Sequence, residues 1–289
     1  MATEQAVAAF QSERGLEAHG RCDEPTWNAL IEAGWTLGDR LLMLRAPHLR
    51  GDDVATLQHG LNRLGFDCGR PDGIFGQLTA RALDDFQRNS GLTPDGVCGR
   101  ETIRMLGRVS RQSGTGRGVA WIRESEAMTR SASLATLRIV IGQFGGLSAI
   151  SRSVTRSLRA LGATVMATDE YEASAHAAAA NRFGAAAYVG FEARADRRSI
   201  ISYFAVPSFE SVGGRSLGTH IVARLSGILS TPPELRGMRL PVLRETRMPA
   251  VLCSMGPVRE VADATTDVAA AIVGAVSAWS ITPLHVPEA

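Results

Sequence analysis

The chain has 289 residues, 45% hydrophobic and 21% charged, which is enough for one large or two modest globular domains with packed cores. A formal net charge of +2 is too small to indicate a nucleic-acid partner. All 31 basic side chains are arginine, so a P-loop lysine, a Schiff base and a lysine general base are excluded.

The first residues, MATEQAVAAFQSERG, carry charge and lack the apolar stretch of a secretory signal, so they do not read as a signal peptide. The most apolar run, AAAIVGAVSAW, is about half the ~20 residues needed to span a bilayer, and no membrane insertion is expected. Cys22, Cys68, Cys98 and Cys253 form no CxxC pair, which argues for reduced, mostly buried thiols over a zinc knuckle.

An internal repeat dominates the first third. Residues 3–30 align without a gap to residues 79–106 at an offset of 76, with 10 of 28 positions identical. Phe10/Phe86, Gln11/Gln87, Gly15/Gly91, Cys22/Cys98 and Thr26/Thr102 are among them. Ahead of the second copy, Val54, Leu57, Leu61 and Leu64 fall at helical spacing, with Asp52 and Asp53 placed to favour the N-terminal end of the helix dipole. The cluster Pro71-Asp72-Gly73-Ile74-Phe75-Gly76 reads as a turn. A helix is expected over 77–89, then a second turn, Thr93-Pro94-Asp95-Gly96, then a short helix ending at Leu106. Three short helices around one small core result.

These residues resemble the peptidoglycan-binding domain type 1 module. The stretch RGDDVATLQHGLNRLGF, the turn DGIFG and the segment FQRNSGLTPDGVCGRET carry the resemblance, which covers residues 49–106. Residues 3–30 resemble the last two-thirds of a second such module. The counterpart of its first helix does not precede them, so Met1 need not be the natural start. The resemblance implies a shallow groove beside the turns that holds a muropeptide or a protein partner. Asp72, Gly73, Phe75, Gly76, Asp95 and Gly96 are the candidate ligand-binding residues. Each has a plainer reading, the Asp-Gly pairs as turn formers and Phe75 as a core plug.

Residues 108–135 loosen into Ser, Gly and Arg, five arginines against two acids, as in a tether whose hydroxyls could accept phosphate. Trp121, Ile122, Ala127 and Met128 suggest a short helix within it. Beyond it, strands and helices alternate. Strands are expected at LRIVI, ATVMA, AAYVG, SIISYFAVP and PAVLC, and helices over 148–161, EASAHAAAANRF, 217–229 and 263–279. That alternation predicts a three-layer α/β domain.

The segments IVIGQFGG, ANRFGAAAYVGFEA and RGMRLPVLRETRMPAVLCSMG resemble the amidase_3 family of N-acetylmuramoyl-L-alanine amidases, from residue 137 to the C-terminus. The family's chemistry uses zinc held by two His and one Glu, with a further Glu as general base. Carried over one at a time, the first His falls on Phe144, the second on Glu192 and the catalytic Glu on Ser254. The Glu ligand has no counterpart, since residues 127–168 contain no Asp, Glu or His. No metal ligand and no catalytic residue are therefore expected, and no cofactor, with zinc only if the chain is a working amidase. Glu192 is expected to pair with one of Arg194, Arg197, Arg198 or Arg244. His176, His220 and His285 read as surface or core histidines, not as partners of Ser254.

The expected fold class is α + α/β: small three-helix peptidoglycan-binding-like modules followed by a three-layer α/β amidase-like domain. The expected domains are a partial module at 1–36, a full module at 37–107, a linker at 108–135 and a degenerate amidase_3-like domain at 136–289. The order resembles the CwlM type of amidase-like regulator. It implies a non-catalytic protein that acts in the cytoplasm, binds a peptidoglycan fragment or precursor, or a protein of the precursor pathway, and regulates precursor synthesis. A zinc-dependent amidase and a wall-anchoring structural protein are the alternatives.

Overall fold

A computed structural model describes residues 2–111, 118–129 and 133–284. The chain divides into two compact units, residues 1–123 with 207–209, and residues 124–206 with 210–289.

The first unit is helical. Helices α1 (Ala2–Glu13) and α2 (Glu24–Ala33) form the first copy of the repeat, and α4 (Gln77–Asn89) and α5 (Arg100–Ser110) the second, with α3 (Asp52–Arg63) ahead of it. Asp23 caps α2 by accepting from the Thr26 amide at 3.0 Å, and Pro25 stands in the first turn, where its missing N–H costs nothing. The α3 spacing buries Val54, Leu57 and Leu61 completely against Leu83, Phe86 and Leu106. Helix α6 (Val119–Met128) forms where a short helix was expected in the linker. In this unit Arg123 pairs with Asp67. Part of the linker, with some of its Ser and Thr residues, lies outside the described residues, as does His285.

The second unit is a seven-stranded sheet with helices on both faces. Strands β1 (Arg138–Gln143), β2 (Thr164–Thr168), β3 (Ala187–Ala193), β4 (Ile200–Val206), β5 (Phe209–Glu210), β6 (Glu234–Met238) and β7 (Ala250–Met255) run in the order β2-β1-β3-β7-β4-β5, with β6 also paired to β4. Pairing is parallel from β2 to β7 and antiparallel between β7 and β4. Helices α7 (Ser148–Ala160), α9 (Val212–Leu225) and α12 (Thr265–Ile281) bury one face with Ile141, Val189, Phe191, Val251 and Cys253. Helices α8 (Ala173–Phe183) and α10 (Pro241–Glu245) lie on the other. Short helix α11 (Val258–Asp263) precedes α12.

The expected α + α/β architecture is present, with local differences. The helix expected over 217–229 starts earlier and ends earlier. Ser211 caps it, its hydroxyl accepting from the Gly214 amide at 3.1 Å, and Gly213 and Gly214 lie inside it. Both glycines sit where a Cβ would come within 3.0 Å of a neighbour, so packing sets them. The closing helix starts at Thr265 because α11 takes up residues up to Asp263. Strands β5 and β6 and helices α10 and α11 were not read from the sequence. Most residues of β6 face solvent, so it lacks the alternation that signals a strand.

Candidate functional site

Two arrangements bear on function, one in each unit. In the helical unit, one glutamine per turn gathers the polar groups around it. Gln58 Nε2 faces Asp72 Oδ1 at 2.8 Å, the Ile74 carbonyl at 3.1 Å and Thr79 Oγ1 at 3.0 Å, while its Oε1 accepts from the Gly73 amide at 2.8 Å. Gln87 does the same with Asp95 at 2.8 Å, the Val97 carbonyl at 3.0 Å, Thr102 at 3.2 Å and the Gly96 amide at 3.0 Å. Gln11 repeats the pattern with the Arg21 carbonyl, Thr26 and the Gly20 amide, each at 2.8 Å, and with His19 Nδ1 at 3.3 Å in place of an aspartate. The turn glycine is left-handed in all three, at φ 76°, 75° and 66° for Gly20, Gly73 and Gly96, which favours glycine at this point.

The six candidate ligand-binding residues are therefore largely taken up by the fold. Asp72 and Asp95 each also accept from the amide two residues on, and that contact, with the glutamine, holds Asp95 below the usual carboxylate range. Gly73 and Gly96 are the turn glycines, and Gly76 is the N-cap of α4. Phe75 is fully buried and packs in the core with Leu83 and Phe86. The identity Gln11/Gln87 was visible in the sequence, but its role across the turn was not. A Gln followed by a turn glycine and a threonine was the available signal.

In the α/β unit, the three carried-over positions lie at the C-terminal ends of neighbouring parallel strands. Gln143 pairs in register with Phe191, and Glu192 with Ser254. Ser254, buried, donates to Glu192 Oε2 at 2.8 Å. Arg194 and Arg198 converge on Asp196, at 2.9 Å each, and hold its carboxyl well below the ordinary range. The expected ion pair of Glu192 with one of these arginines is thus replaced by the Ser254 hydroxyl, which the strand register places directly opposite.

Phe144, beyond the end of β1, stacks on the His176 ring with centroids 4.3 Å apart and planes inclined by 19°. Gln143 accepts from the Gly145 amide at 3.2 Å and closes the glycine turn. His176 is fully buried on α8. Its Nε2 lies 2.7 Å from the Glu170 carbonyl, which can only accept, so Nε2 carries the proton. Nδ1 then accepts from the Tyr188 hydroxyl at 2.8 Å. Burial holds the imidazole below its ordinary pKa and keeps this neutral form, while burial pushes the Tyr188 hydroxyl up. Both ring nitrogens are committed, so His176 is a core histidine and offers nothing to Ser254. Sequence reading found His176 but missed the pair, whose members lie 12 residues apart on different elements.

A zinc ion does not fit this donor set. Phe144 has no lone pair to offer, Ser254 is a neutral alcohol, and Glu192 is a single carboxylate already accepting a hydrogen bond. Among the described residues, no three His, Cys, Asp or Glu side chains gather as metal ligands would.

Residues 2–30 and 50–106 match the family described as a putative peptidoglycan binding domain. The helical repeat is of the peptidoglycan-binding type. A curated relative, the N-acetylmuramoyl-L-alanine amidase CwlM of Mycobacterium tuberculosis, is 52% identical over 91 residues, 31% of this chain and 22% of that protein. The match thus spans about a fifth of that relative's length. Similar solved structures include the N-acetylmuramyl-L-alanine amidase Ami1 of Mycobacterium smegmatis, at 13% identity and a TM-score of 0.44 over 52% of this chain and 99% of that one. The N-acetylmuramoyl-L-alanine amidase AmiC2 of Nostoc punctiforme follows at 19% identity and a TM-score of 0.43, over 51% and 98%. The peptidoglycan-binding modules mark a cell-wall-related protein. Among the described residues no helix is long and apolar enough to cross a membrane.

Proposed function

We propose that this chain is a non-catalytic binding protein with a pseudo-amidase unit that regulates cell-wall precursor synthesis. Its ligand is a peptidoglycan fragment or precursor, or a protein of the precursor pathway, and it acts in the cytoplasm. One observation carries the reading. At the strand ends where the resemblance calls for imidazole and a general base, Phe144 stacks on His176 and Ser254 donates to Glu192. An amidase of this kind needs a metal-activated water and a carboxylate to take its proton. Phe144 and Ser254 can supply neither function, and Glu192 alone cannot hold the metal and also take the proton.

Metal content and activity test this together. Chain purified without chelators is expected to contain far less than one zinc per molecule and to leave muropeptides intact. Stoichiometric zinc with amide cleavage would make the protein a hydrolase. Sedimentation with purified sacculi separates the anchor reading, for which wall binding occurs without a protein partner. Capture of a precursor-pathway enzyme from lysate, and recovery of the chain in the cytoplasmic fraction, are the expected outcomes under regulation.

A further inference from the structure

The sheet of the α/β unit ends at β2. Thr164 donates to the Leu137 carbonyl at 3.0 Å, so Thr164, Met166 and Thr168 turn their backbone groups to β1. Val165 and Ala167 turn theirs outward. Arg159 on α7 agrees with that direction, since its Nη2 reaches over the edge to the Val165 carbonyl at 2.7 Å. The strand itself, Thr-Val-Met-Ala-Thr, holds no charge, proline or glycine. Such an edge is a template for another strand, and folds commonly guard it with charge. Strand β6, which pairs with β4, has that guard in the Glu234–Arg236 ion pair. Strand β2 has none within it.

The residues flanking β2 are arranged symmetrically about Met166. Leu161, 53% exposed, stands three residues before the strand, and Tyr171, 92% exposed, three after it. On the N-terminal side stand the exposed Arg152, Arg156 and Arg159 of α7, and residues 127–168 contain no acid. On the C-terminal side stand the exposed Asp169, Glu170 and Glu172. One end of the strand is basic and the other acidic, each with an exposed apolar side chain. An edge of this kind complements itself when turned end for end.

We propose that β2 pairs antiparallel with β2 of a second copy of this chain, across a two-fold axis at Met166. Val165 then faces the second copy's Ala167, and Ala167 its Val165. Each pair exchanges two N–H···O bonds between groups that already point outward. Only this register pairs both outward residues of one strand with both of the other. The Val165 carbonyl can take its new bond and keep Arg159, because it has two lone pairs. Met166 meets its own equivalent in the closer, non-hydrogen-bonded kind of pair. The same rotation carries the acids of each copy to the arginine end of the other, and Tyr171 to the end where Leu161 stands. One patch meets itself, as a closed dimer requires. The inference concerns how the α/β unit assembles and stands whether or not that unit is catalytic.

Sedimentation equilibrium of the full chain at concentrations up to about 0.5 mM tests this. A monomer–dimer equilibrium is expected. Ala167→Pro removes an outward N–H and spares the β1 ladder, so it is expected to abolish the dimer and leave the circular dichroism unchanged. Glu170→Arg together with Glu172→Arg is expected to weaken the dimer by about tenfold or more. Met166→Cys in a Cys22→Ser background reads the register, and decides by itself if Ala167→Pro does not fold. Mild oxidation is expected to join two copies through position 166. Thr164→Cys in the same background, whose mate across the axis is Thr168, is expected to stay uncrosslinked. A chain that remains monomeric over this range would overturn the proposal and leave the edge to another protein's strand. So would a dimer indifferent to Ala167→Pro or to the charge reversal, and so would a dimer that Met166→Cys does not crosslink.

Discussion

Gln87 on α4 reaches four partners, three of them presented by the turn (Asp95, the Gly96 amide and the Val97 carbonyl) and one, Thr102, by α5. Removing it leaves the Gly96 amide without its acceptor and takes a donor from Asp95, the Val97 carbonyl and the Thr102 hydroxyl at a partly buried point. Gln87→Leu is therefore expected to destabilise the helical unit by about 2–3 kcal/mol in urea unfolding. His176 works by the same logic in the α/β unit, with a pH dependence attached. Its folded-state pKa lies below the ordinary 6.5 because burial disfavours the cation. Below pH 6.5 the unfolded chain takes up a proton that the folded one resists, so its contribution to stability is complete above that pH and is lost as pH falls. His59 adds to this in the same direction, held low by burial and by Arg63. The unfolding midpoint is expected to drop between pH 7 and pH 5, less steeply in His176→Gln.

Helices that the repeat aligns meet different surroundings in its two copies. Leu106 is packed against α3 and Leu30 is not, although the repeat aligns them. Leu106→Ala is expected to cost about 2–4 kcal/mol, the range for an emptied core position. Leu30→Ala is expected to stay within about 0.5 kcal/mol. Paired urea titrations followed by circular dichroism check both. In the sheet, Gly142 of β1 lies against the His176–Tyr188 pair. A Cβ there would come 2.2 Å from the Tyr188 hydroxyl oxygen and 2.6 Å from His176 Nδ1. Gly142→Ala is expected to break that bond and lower stability by roughly 1–3 kcal/mol, read as a lowered denaturation midpoint.

For the whole molecule, the proposed reading of recognition without turnover makes a prediction about metal binding. A ligand that binds only the folded state raises its melting temperature in proportion to ln(1 + [L]/Kd). Zinc added at about 100 times the micromolar level is expected to leave the midpoint unchanged, as measured by scanning calorimetry. A rise of several degrees would show that a metal site exists after all. The thiols are equally withdrawn from chemistry. Burial pushes Cys98 up to about 12 and raises Cys68 and Cys253 further, so of the four only the exposed Cys22 is accessible to alkylating reagents at neutral pH.

The sequence by itself determined the helical repeat, the alternation of strand and helix, and which side chains stand at the strand ends. These are properties of residue identity and local period. Val54, Leu57 and Leu61 announce a helix face wherever they are placed, and no packing can turn Phe144 into a metal ligand. The tertiary structure alone decided which polar groups meet. Glu192 finds Ser254 and not an arginine because parallel register sets them opposite, 62 residues apart in sequence. His176 finds Tyr188, and Gln58 finds Thr79, for the same reason: a hydrogen bond requires proximity, and proximity across distant elements follows from the packing of their apolar faces, which no local pattern records.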